Sequence, residues 1–233
     1  MFISAIKKST LLDYPGKLAT IIFTPGCNLR CGFCHNPEFV LPEQVEKLRH
    51  DFIAEEVFFR FLRTRIGFLD GVVICGGEPT IHMDLPEFCQ RIKDFGFLVK
   101  LDTNGSNPEV LEHLLDRKLV DYVAMDVKNP LEKYGDLIGV KSDPEKYHES
   151  IELIMTHSPD YEFRTTVIKG VHSPGDIEAI ARTIQGARHY YLQNYRSNHT
   201  LDPNFEGASF SMQELENFKS IAENYVERCL IRV

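Results

Sequence analysis

The stretch that decides the fold of this chain lies at residues 18–34 and reads LATIIFTPGCNLRCGFC. Its first seven residues are nearly all apolar or β-branched, which is typical of a strand buried on both faces of a parallel sheet. The loop after that strand carries three thiols within eight residues, Cys27, Cys31 and Cys34. Iron–sulfur clusters favour thiolate ligands and ordinarily take four of them. Three thiols at this spacing therefore indicate a 4Fe–4S cluster whose fourth iron is open to a small molecule.

A structural zinc site is the alternative for these three cysteines, and it needs a fourth ligand such as His35 or a distant cysteine. Zinc modules commonly carry a second pair of ligands at a similarly short spacing, and no such pair follows here. Cys75, Cys89 and Cys229 are single cysteines in apolar settings, where a small core residue is expected. We therefore favour the cluster and keep a non-catalytic zinc-binding interaction module as the alternative.

The bulk composition excludes several classes of protein. With 34 acidic and 26 basic residues the formal net charge is −8, which argues against general binding to nucleic acid or to an anionic membrane. No segment approaches the length that spans a bilayer, and the N-terminal charges follow a short apolar stretch, the reverse of a secretory signal. Six cysteines, three of them clustered, do not form a secreted disulfide framework. A reducing cytoplasm is therefore the expected compartment.

The rest of the chain alternates strand-like runs with segments of helical periodicity. Six strand–helix units in series predict an α/β fold with a parallel sheet and helices outside it. A full barrel needs eight units, so we expect a partial (β/α)6 TIM-like barrel in one domain, residues 1–233, with a doubly wound sheet as the alternative. In both folds the chemistry collects at the carboxyl ends of the strands. The predicted strands cover residues 18–24, 71–75, 98–103, 120–126, 161–168 and 190–193.

Helix starts are indicated by residues that commonly cap the first turn, several of them followed by proline. The last of them opens a capping-box pattern, Ser211 to Glu214. The predicted starts are at Asp51, Asp84, Asn107, Asp143, Ser173 and Ser211.

Polar residues follow the second and third predicted strands. Cys75-Gly-Gly-Glu-Pro79 ends the second strand, and its glycines permit a close approach of the backbone, while the Glu78 carboxylate could receive an ammonium group. Asp102-Thr-Asn-Gly105 ends the third strand. Each stretch taken alone is also an ordinary turn signal. Their position next to the cysteine loop is what favours a functional role.

Charged residues mark the fourth, fifth and sixth strands. Asp126 and Lys128 share one face of the chain at the end of the fourth strand, where a surface ion pair is the simpler interpretation. A charged pair within a buried run is nevertheless unusual. Asp102 and Asp126 together could hold a hard cation through oxygen ligands. Arg164 and the Asn194-Tyr-Arg196 stretch could close the site, although an ordinary ion pair or hydrogen bond explains either one alone.

Taken together, these residues resemble the radical S-adenosylmethionine (SAM) superfamily. Its cluster motif CxxxCxΦC, with an aromatic residue at Φ, is matched by the three cysteines and Phe33, and Gly76-Gly-Glu-Pro79 resembles its SAM-amine motif. Asp13-Tyr-Pro-Gly-Lys17, Phe23-Thr-Pro-Gly-Cys27 and Cys34-His-Asn-Pro37 are similar to stretches of the activating proteins of anaerobic ribonucleoside-triphosphate reductases. The similarity covers nearly the whole chain.

The resemblance implies a set of cofactor contacts. The open iron would chelate the amino and carboxylate groups of SAM, with Phe33 against the adenine region and Lys128 reaching the carboxylate. The family histidine after strand six has its nearest counterpart here in Arg196, which is a departure from the pattern. The SAM amine would meet Gly76, Gly77 and Glu78; Asn104 and Arg164 would add contacts; and a monovalent cation, Na⁺ or K⁺, would bind Asp102, Thr103, the Ala124 carbonyl and Asp126.

The resemblance also implies the reaction. One electron from the reduced cluster, supplied by flavodoxin or ferredoxin, would cleave SAM to methionine and a 5′-deoxyadenosyl radical. That radical would abstract hydrogen from a glycine of a glycyl-radical enzyme such as anaerobic ribonucleotide reductase. An incomplete barrel would leave an accessible mouth for the peptide. The alternative within the superfamily is a small-molecule or peptide substrate, although no added cysteine-rich domain is present for auxiliary clusters.

Overall fold

The computed structural model describes residues 1–197 and 200–233 and contains one eight-stranded sheet. Its strands lie side by side in the order in which the chain makes them. The six central strands are parallel, which confirms the predicted six-unit partial barrel. The strands are β1 Ala5–Thr10, β2 Ala19–Thr24, β3 Gly71–Gly76, β4 Leu98–Thr103, β5 Tyr122–Asp126, β6 Tyr161–Val167, β7 Tyr190–Asn194 and β8 Cys229–Arg232.

Two edge strands were not predicted from the sequence. β1 pairs antiparallel with β2, and β8 pairs parallel with β7. β1 reads AIKKST and exposes its lysines, and β8 has only four residues, so neither shows a long apolar run. Short, charged edge strands are how sheets avoid pairing with other chains. Among the described residues β1 and β8 are not paired with each other, so the barrel stays open at this seam.

Helices cover the outer face of the sheet. Three predicted starts are confirmed by capping bonds: the Asp143 carboxylate accepts from the N–H of Glu145, and Ser173 and Ser211 each form a reciprocal capping box. No helix in residues 1–197 and 200–233 combines the length and the apolar character that crossing a bilayer requires. The helices are α1 Pro42–Leu48, α2 Glu55–Arg63, α3 Leu85–Asp94, α4 Pro108–Asp116, α5 Tyr134–Ile138, α6 Pro144–His157, α7 Pro174–Thr183 and α8 Met212–Ala222, with short 3₁₀ turns at Pro37–Phe39, Arg49–Asp51, Pro79–Ile81 and Leu131–Lys133.

The predicted cap at Asp51 was wrong. α2 begins after Ala54, and Asp51 lies in a separate 3₁₀ turn. Asn107 does precede α4, but its side chain donates a hydrogen bond of 2.8 Å to the Thr80 hydroxyl instead of capping the helix. The Asn107 side chain is therefore used in a contact with another loop and not in capping α4, as the local pattern predicted.

The inner face of the curved sheet is divided between apolar and charged side chains. A small apolar cluster fills the side formed by β2, β3 and β5, where Ile21, Val73 and Ala124 pack together. On β4 and β6, alternate positions carry charge and are fully or largely buried, as in Lys100, which is only 2% exposed. Buried charges are costly unless they are paired. This half of the interior therefore requires a network of ion pairs, and it lies next to the carboxyl ends of the strands.

Candidate functional site

The three cysteines of the loop after β2 line a cavity of about 280 Å³ at the carboxyl ends of the strands. The loop begins at Gly26, whose N–H donates 2.7 Å to the Phe39 carbonyl, and a turn bond of 3.0 Å from Cys34 to the Cys31 carbonyl closes it. Nearly all of the site residues that the sequence indicated meet here. The cavity is lined by Cys27, Cys31, Phe33, Cys34, Gly76, Gly77, Glu78, Asp102, Thr103, Asn104, Asp126, Lys128 and Arg164.

The three thiols are free and largely buried. Burial raises the pKa of Cys27 to about 12, with a smaller contribution from the Glu78 charge, and it also raises the pKa values of Cys31 and Cys34. The nearby Lys128 ammonium opposes all three shifts. Without a metal these groups are therefore thiols at neutral pH, and binding iron must displace their protons. Three soft donors facing one cavity fit the ligand set of an iron–sulfur cluster.

Two glycines bring the end of β3 against the start of the cysteine loop. A Cβ on Gly76 would lie 2.1 Å from the Thr24 nitrogen, and one on Gly77 would lie 1.9 Å from the Gly26 oxygen. Gly76 also has φ of +127°, which side-chain-bearing residues rarely adopt. Backbone bonds of 2.9 Å from Gly77 to Thr24 and of 2.8 Å from Glu78 to Gly26 fasten the two segments. The close approach expected of these glycines is thus an approach to the cysteine loop.

Glu78 joins three loops and also lines the cavity. Its Oε1 accepts from the Thr80 N–H at 3.1 Å, the Thr80 hydroxyl at 2.6 Å and the Thr103 hydroxyl at 2.8 Å. Its Oε2 accepts from the Asn104 N–H at 2.7 Å. Burial raises the pKa of Glu78, and these donors oppose the shift. Asn104 in turn donates to the Asn28 side chain at 3.0 Å, so the carboxylate fixes the loop after β4 against the cysteine loop.

Arg164 lies between two aspartates in the floor of the cavity. It donates from Nε to Asp126 at 2.8 Å and from a terminal nitrogen to Asp102 at 3.0 Å. Lys100 pairs with the other Asp102 oxygen, and Lys128 lies 3.2 Å from the other Asp126 oxygen. Although burial works in the opposite direction, Arg164 and these lysines lower the pKa of Asp102 and hold that of Asp126 at about 2. Both carboxylates are ionised and matched by protein cations.

The proposed cation ligands are therefore already engaged, and a monovalent cation would compete with Arg164 for the oxygens of Asp102 and Asp126. Within residues 1–197 and 200–233, no three His, Cys, Asp or Glu side chains converge closely enough to hold a single metal ion. A 4Fe–4S cluster differs in this respect, because each of its thiolates binds a separate iron.

Of the predicted contacts, Ala124 does not line the cavity, and neither does Arg196. Its side chain is exposed, and its carbonyl oxygen lies 2.8 Å from Nε2 of His35. The His35 ring stacks on Tyr195 with centroids 5.6 Å apart. The sequence left the role of His35 open, and the structure places it in the cavity wall. Cys75 was expected in the core, but it is only partly buried and lines the cavity at the end of β3. Further lining residues to which the sequence assigned no contact are Leu29, Asn36, Val40, Thr166 and Gln193.

Known proteins resemble this chain in sequence over most of its length. Residues 21–184 match the Radical SAM superfamily. The chain belongs to this superfamily. It is 36% identical over 99% of its length to a protein of Methanocaldococcus jannaschii named as a glycyl-radical enzyme activating enzyme, of which it covers 95%. This radical SAM protein therefore also belongs to the glycyl-radical enzyme activating enzymes, which act on a glycyl-radical enzyme partner.

More distant relatives agree with this assignment. The pyruvate formate-lyase-activating enzyme of Listeria monocytogenes is 31% identical over 54% of this chain, which spans 52% of that enzyme. A solved domain of the pyruvate-formate lyase-activating enzyme of Bacteroides vulgatus superposes with a TM-score of 0.57 at 19% identity, covering 70% of this chain and 99% of that domain. The second match concerns the fold alone. Membership of the superfamily implies a 4Fe–4S cluster and SAM as cofactors.

Proposed function

We propose that this radical SAM protein generates the glycyl radical of an anaerobic (class III) ribonucleoside-triphosphate reductase. The observation that carries the proposal is the convergence of the cysteine loop with the ends of β3, β4, β5 and β6 on one cavity of an open barrel. The choice of reductase is supported by the sequence stretches at residues 13–17, 23–27 and 34–37, which resemble the activating proteins of these reductases.

Different residues of the site would hold the two cofactors. Cys27, Cys31 and Cys34 would hold three irons of the cluster, and the strand-end loops would hold SAM. A bound cluster, reduced by a flavodoxin or ferredoxin, would supply the electron that splits SAM into methionine and a 5′-deoxyadenosyl radical. SAM would contact Phe33, Gly76, Gly77, Glu78, Asp102, Thr103, Asn104, Lys128 and Arg164, with Asp102, Thr103 and Asp126 as ligands of any monovalent cation.

The protein's own contribution is to orient charge before SAM arrives. Glu78 and Lys128 both line the cavity and offer a carboxylate and an ammonium, which are the partners that the amine and the carboxylate of an amino acid require. The Lys128 ammonium is fixed by Asp126 at 3.2 Å, and the Glu78 carboxylate by its backbone and hydroxyl donors. Preorganised charges of this kind cost no rearrangement when the ligand binds.

A peptide substrate is supported by the inner wall on the side of β6 and β7. Thr166 and Gln193 line the cavity there and offer hydrogen-bond donors and acceptors of the kind a peptide backbone needs. The same side of the sheet ends at the open seam beside β8. We therefore expect a glycine-bearing loop of the partner to enter on this side of the barrel.

The proposal is tested with protein reconstituted anaerobically with iron and sulfide. We expect about four irons per chain, release of 5′-deoxyadenosine with SAM and dithionite, and a glycyl-radical EPR doublet when a class III reductase is added. Cys31→Ala should abolish all three. Cys89→Ala is the matched control, because this thiol is buried in the outer core away from the cavity and its loss should leave the iron content unchanged.

Two results would contradict the assignment. Colourless protein that binds zinc and no iron would show that the three cysteines form a zinc site and do not hold a cluster. SAM turnover without a protein radical would point to a small-molecule substrate.

A further inference from the structure

A buried histidine lies behind the cavity and belongs to none of the sequence motifs. His172 follows β6, which is the fifth of the predicted strands, and so it is not the family histidine sought after the sixth. It is 5% exposed and does not line the cavity itself. Its Nδ1 accepts a hydrogen bond of 3.0 Å from the backbone N–H of Ile168. The ring proton is therefore on Nε2, which lies 3.0 Å from the Lys128 carbonyl and donates to it. Burial lowers the pKa of His172, in keeping with a neutral ring.

A buried tyrosine holds the other side of the same residue. The Tyr134 hydroxyl on α5 accepts from the Lys128 N–H at 3.1 Å and donates to the Asp126 carbonyl at 3.2 Å. Its ring packs against Tyr147 with centroids 4.2 Å apart. Both peptide groups of Lys128 are thus fixed by side chains from other elements. Buried hydrogen bonds of this kind are costly to break, because the freed backbone groups find no water.

The clamp formed by His172 and Tyr134 determines where the Lys128 ammonium lies. The residue lies two positions beyond the end of β5, and the bonds from β6 end one residue earlier, where the Val127 N–H donates to the Arg164 carbonyl at 2.8 Å. Its Nζ lies 3.2 Å from Asp126 and 5.8 Å from the centroid of the Phe33 ring, beside the cysteine loop. Although burial favours loss of the proton, Asp126 raises the pKa of Lys128 above its ordinary value. A charged group therefore faces the cavity at a defined place.

We infer that His172 and Tyr134 are positioning residues that fix the Lys128 ammonium for the carboxylate of SAM. The inference rests on the proposed function, in which Lys128 contacts that carboxylate. His172 has no access to the ligand and acts through the Lys128 carbonyl, while Tyr134 acts through the Lys128 N–H. The two side chains come from segments separated in the chain, so the clamp also ties the loop after β6 to the loop after β5.

Two substitutions of His172 separate its two hydrogen bonds. His172→Gln places an amide N–H near the position of Nε2 and keeps the bond to Lys128. His172→Asn places an amide oxygen near the position of Nδ1 and keeps only the bond from Ile168. For SAM binding to the cluster-loaded, unreduced protein, we expect a Kd about tenfold higher in His172→Asn and within about twofold of wild type in His172→Gln. Isothermal titration calorimetry measures both.

Decarboxylated SAM distinguishes positioning from a loss of general structure. This probe lacks the carboxylate, so its Kd should be the same in wild type, His172→Asn and Tyr134→Phe. SAM binding should weaken in both variants. In a Lys128→Met background, His172→Asn should have no further effect on the Kd for SAM, because the group that it positions is gone.

The outcomes are distinct. Equal weakening of SAM and decarboxylated SAM, or an unchanged Kd for SAM in both His172→Asn and Tyr134→Phe, would overturn the positioning role while leaving the proposed function intact. A wild-type protein that is loaded with its cluster and binds no SAM would overturn the proposed function itself. Tyr134→Phe keeps the packed ring, so it tests the clamp even when His172→Asn fails to fold.

Discussion

At Gly77, the backbone of the loop after β3 meets the cysteine loop so closely that no side chain fits. A Cβ there would lie 1.9 Å from the Gly26 oxygen and 2.8 Å from the Phe39 oxygen, and neither backbone atom can rotate away. We expect Gly77→Ala to lower the free energy of unfolding by about 3 kcal/mol and to reduce the iron content after reconstitution. Urea unfolding and an iron assay measure the two effects.

Gly175 in α7 provides the matched control. Its added Cβ would meet only the Ser173 hydroxyl, at the ordinary distance of 3.8 Å. Alanine is also favoured over glycine within a helix, so Gly175→Ala should be neutral or more stable by up to about 1 kcal/mol. Full stability and iron loading in Gly77→Ala would show that the two loops are not in contact in solution.

The residues of the site divide into those that the sequence could reveal and those that it could not. The cysteines, Gly77 and Glu78 lie in short motifs, and their residue types are enough to predict their chemical roles. His172 and Gln193 are ordinary residues whose roles come from contacts between elements far apart in the chain. No local pattern encodes such contacts, which is why they appeared only in the structure. Arg196 was expected near the cavity and is exposed instead, because the local sequence does not fix the direction of a loop side chain.

At the scale of elements, the central strands were predictable and the edges were not. Parallel central strands are largely buried on both faces, so apolar residues mark their limits, and β4 was predicted at its observed bounds although it contains Lys100 and Asp102. β1 and β8 are defined by their pairing with a neighbour rather than by their own composition. The charged positions on β4 and β6 were visible as exceptions within apolar runs, but their pairing through Arg164 required the fold.

A segment after β7 covers the cysteine loop. The N–H groups of Leu201 and Asp202 donate to the carbonyls of Cys34 and Gly32, at 3.1 and 3.0 Å. The Phe205 ring packs on Phe33 with centroids 6.0 Å apart. Here again the chain contains no motif, and the contact is made by residues about 170 positions apart.

Shortening the Phe205 side chain in this segment should make the cluster lose iron faster without unfolding the protein. Phe205 is only half-buried, so we expect Phe205→Ala to cost about 1.4 kcal/mol of packing and to speed iron loss to a chelator roughly tenfold. Absorbance of the cluster under anaerobic chelation measures the rate. Phe68→Ala removes a ring that is 76% exposed and should not change it. Equal rates in both variants and wild type would mean that this segment does not protect the cluster.

At the scale of the whole molecule, buried thiols link stability to pH. Burial raises the pKa of Cys27, Cys75, Cys89 and Cys229 to about 12 in each case. In the unfolded chain these thiols ionise near pH 8.5. Below that pH both states hold the protons, so the stability is fully present. As the pH rises toward the folded pKa, only the unfolded state loses protons, and the free energy of unfolding falls.

The metal-free protein should therefore have a nearly constant free energy of unfolding between about pH 7 and pH 8 and lose about 1 kcal/mol or more per thiol by pH 9.5. Urea unfolding under anaerobic, reducing conditions measures this loss. Iron loading should show the opposite trend, because the thiols of the cysteine loop must lose their protons to bind metal. General alkaline damage would lower stability and loading together, whereas ionisation of buried thiols lowers the first and raises the second. A metal-free protein equally stable at pH 7 and 9.5 would show that these thiols are open to water in the folded state.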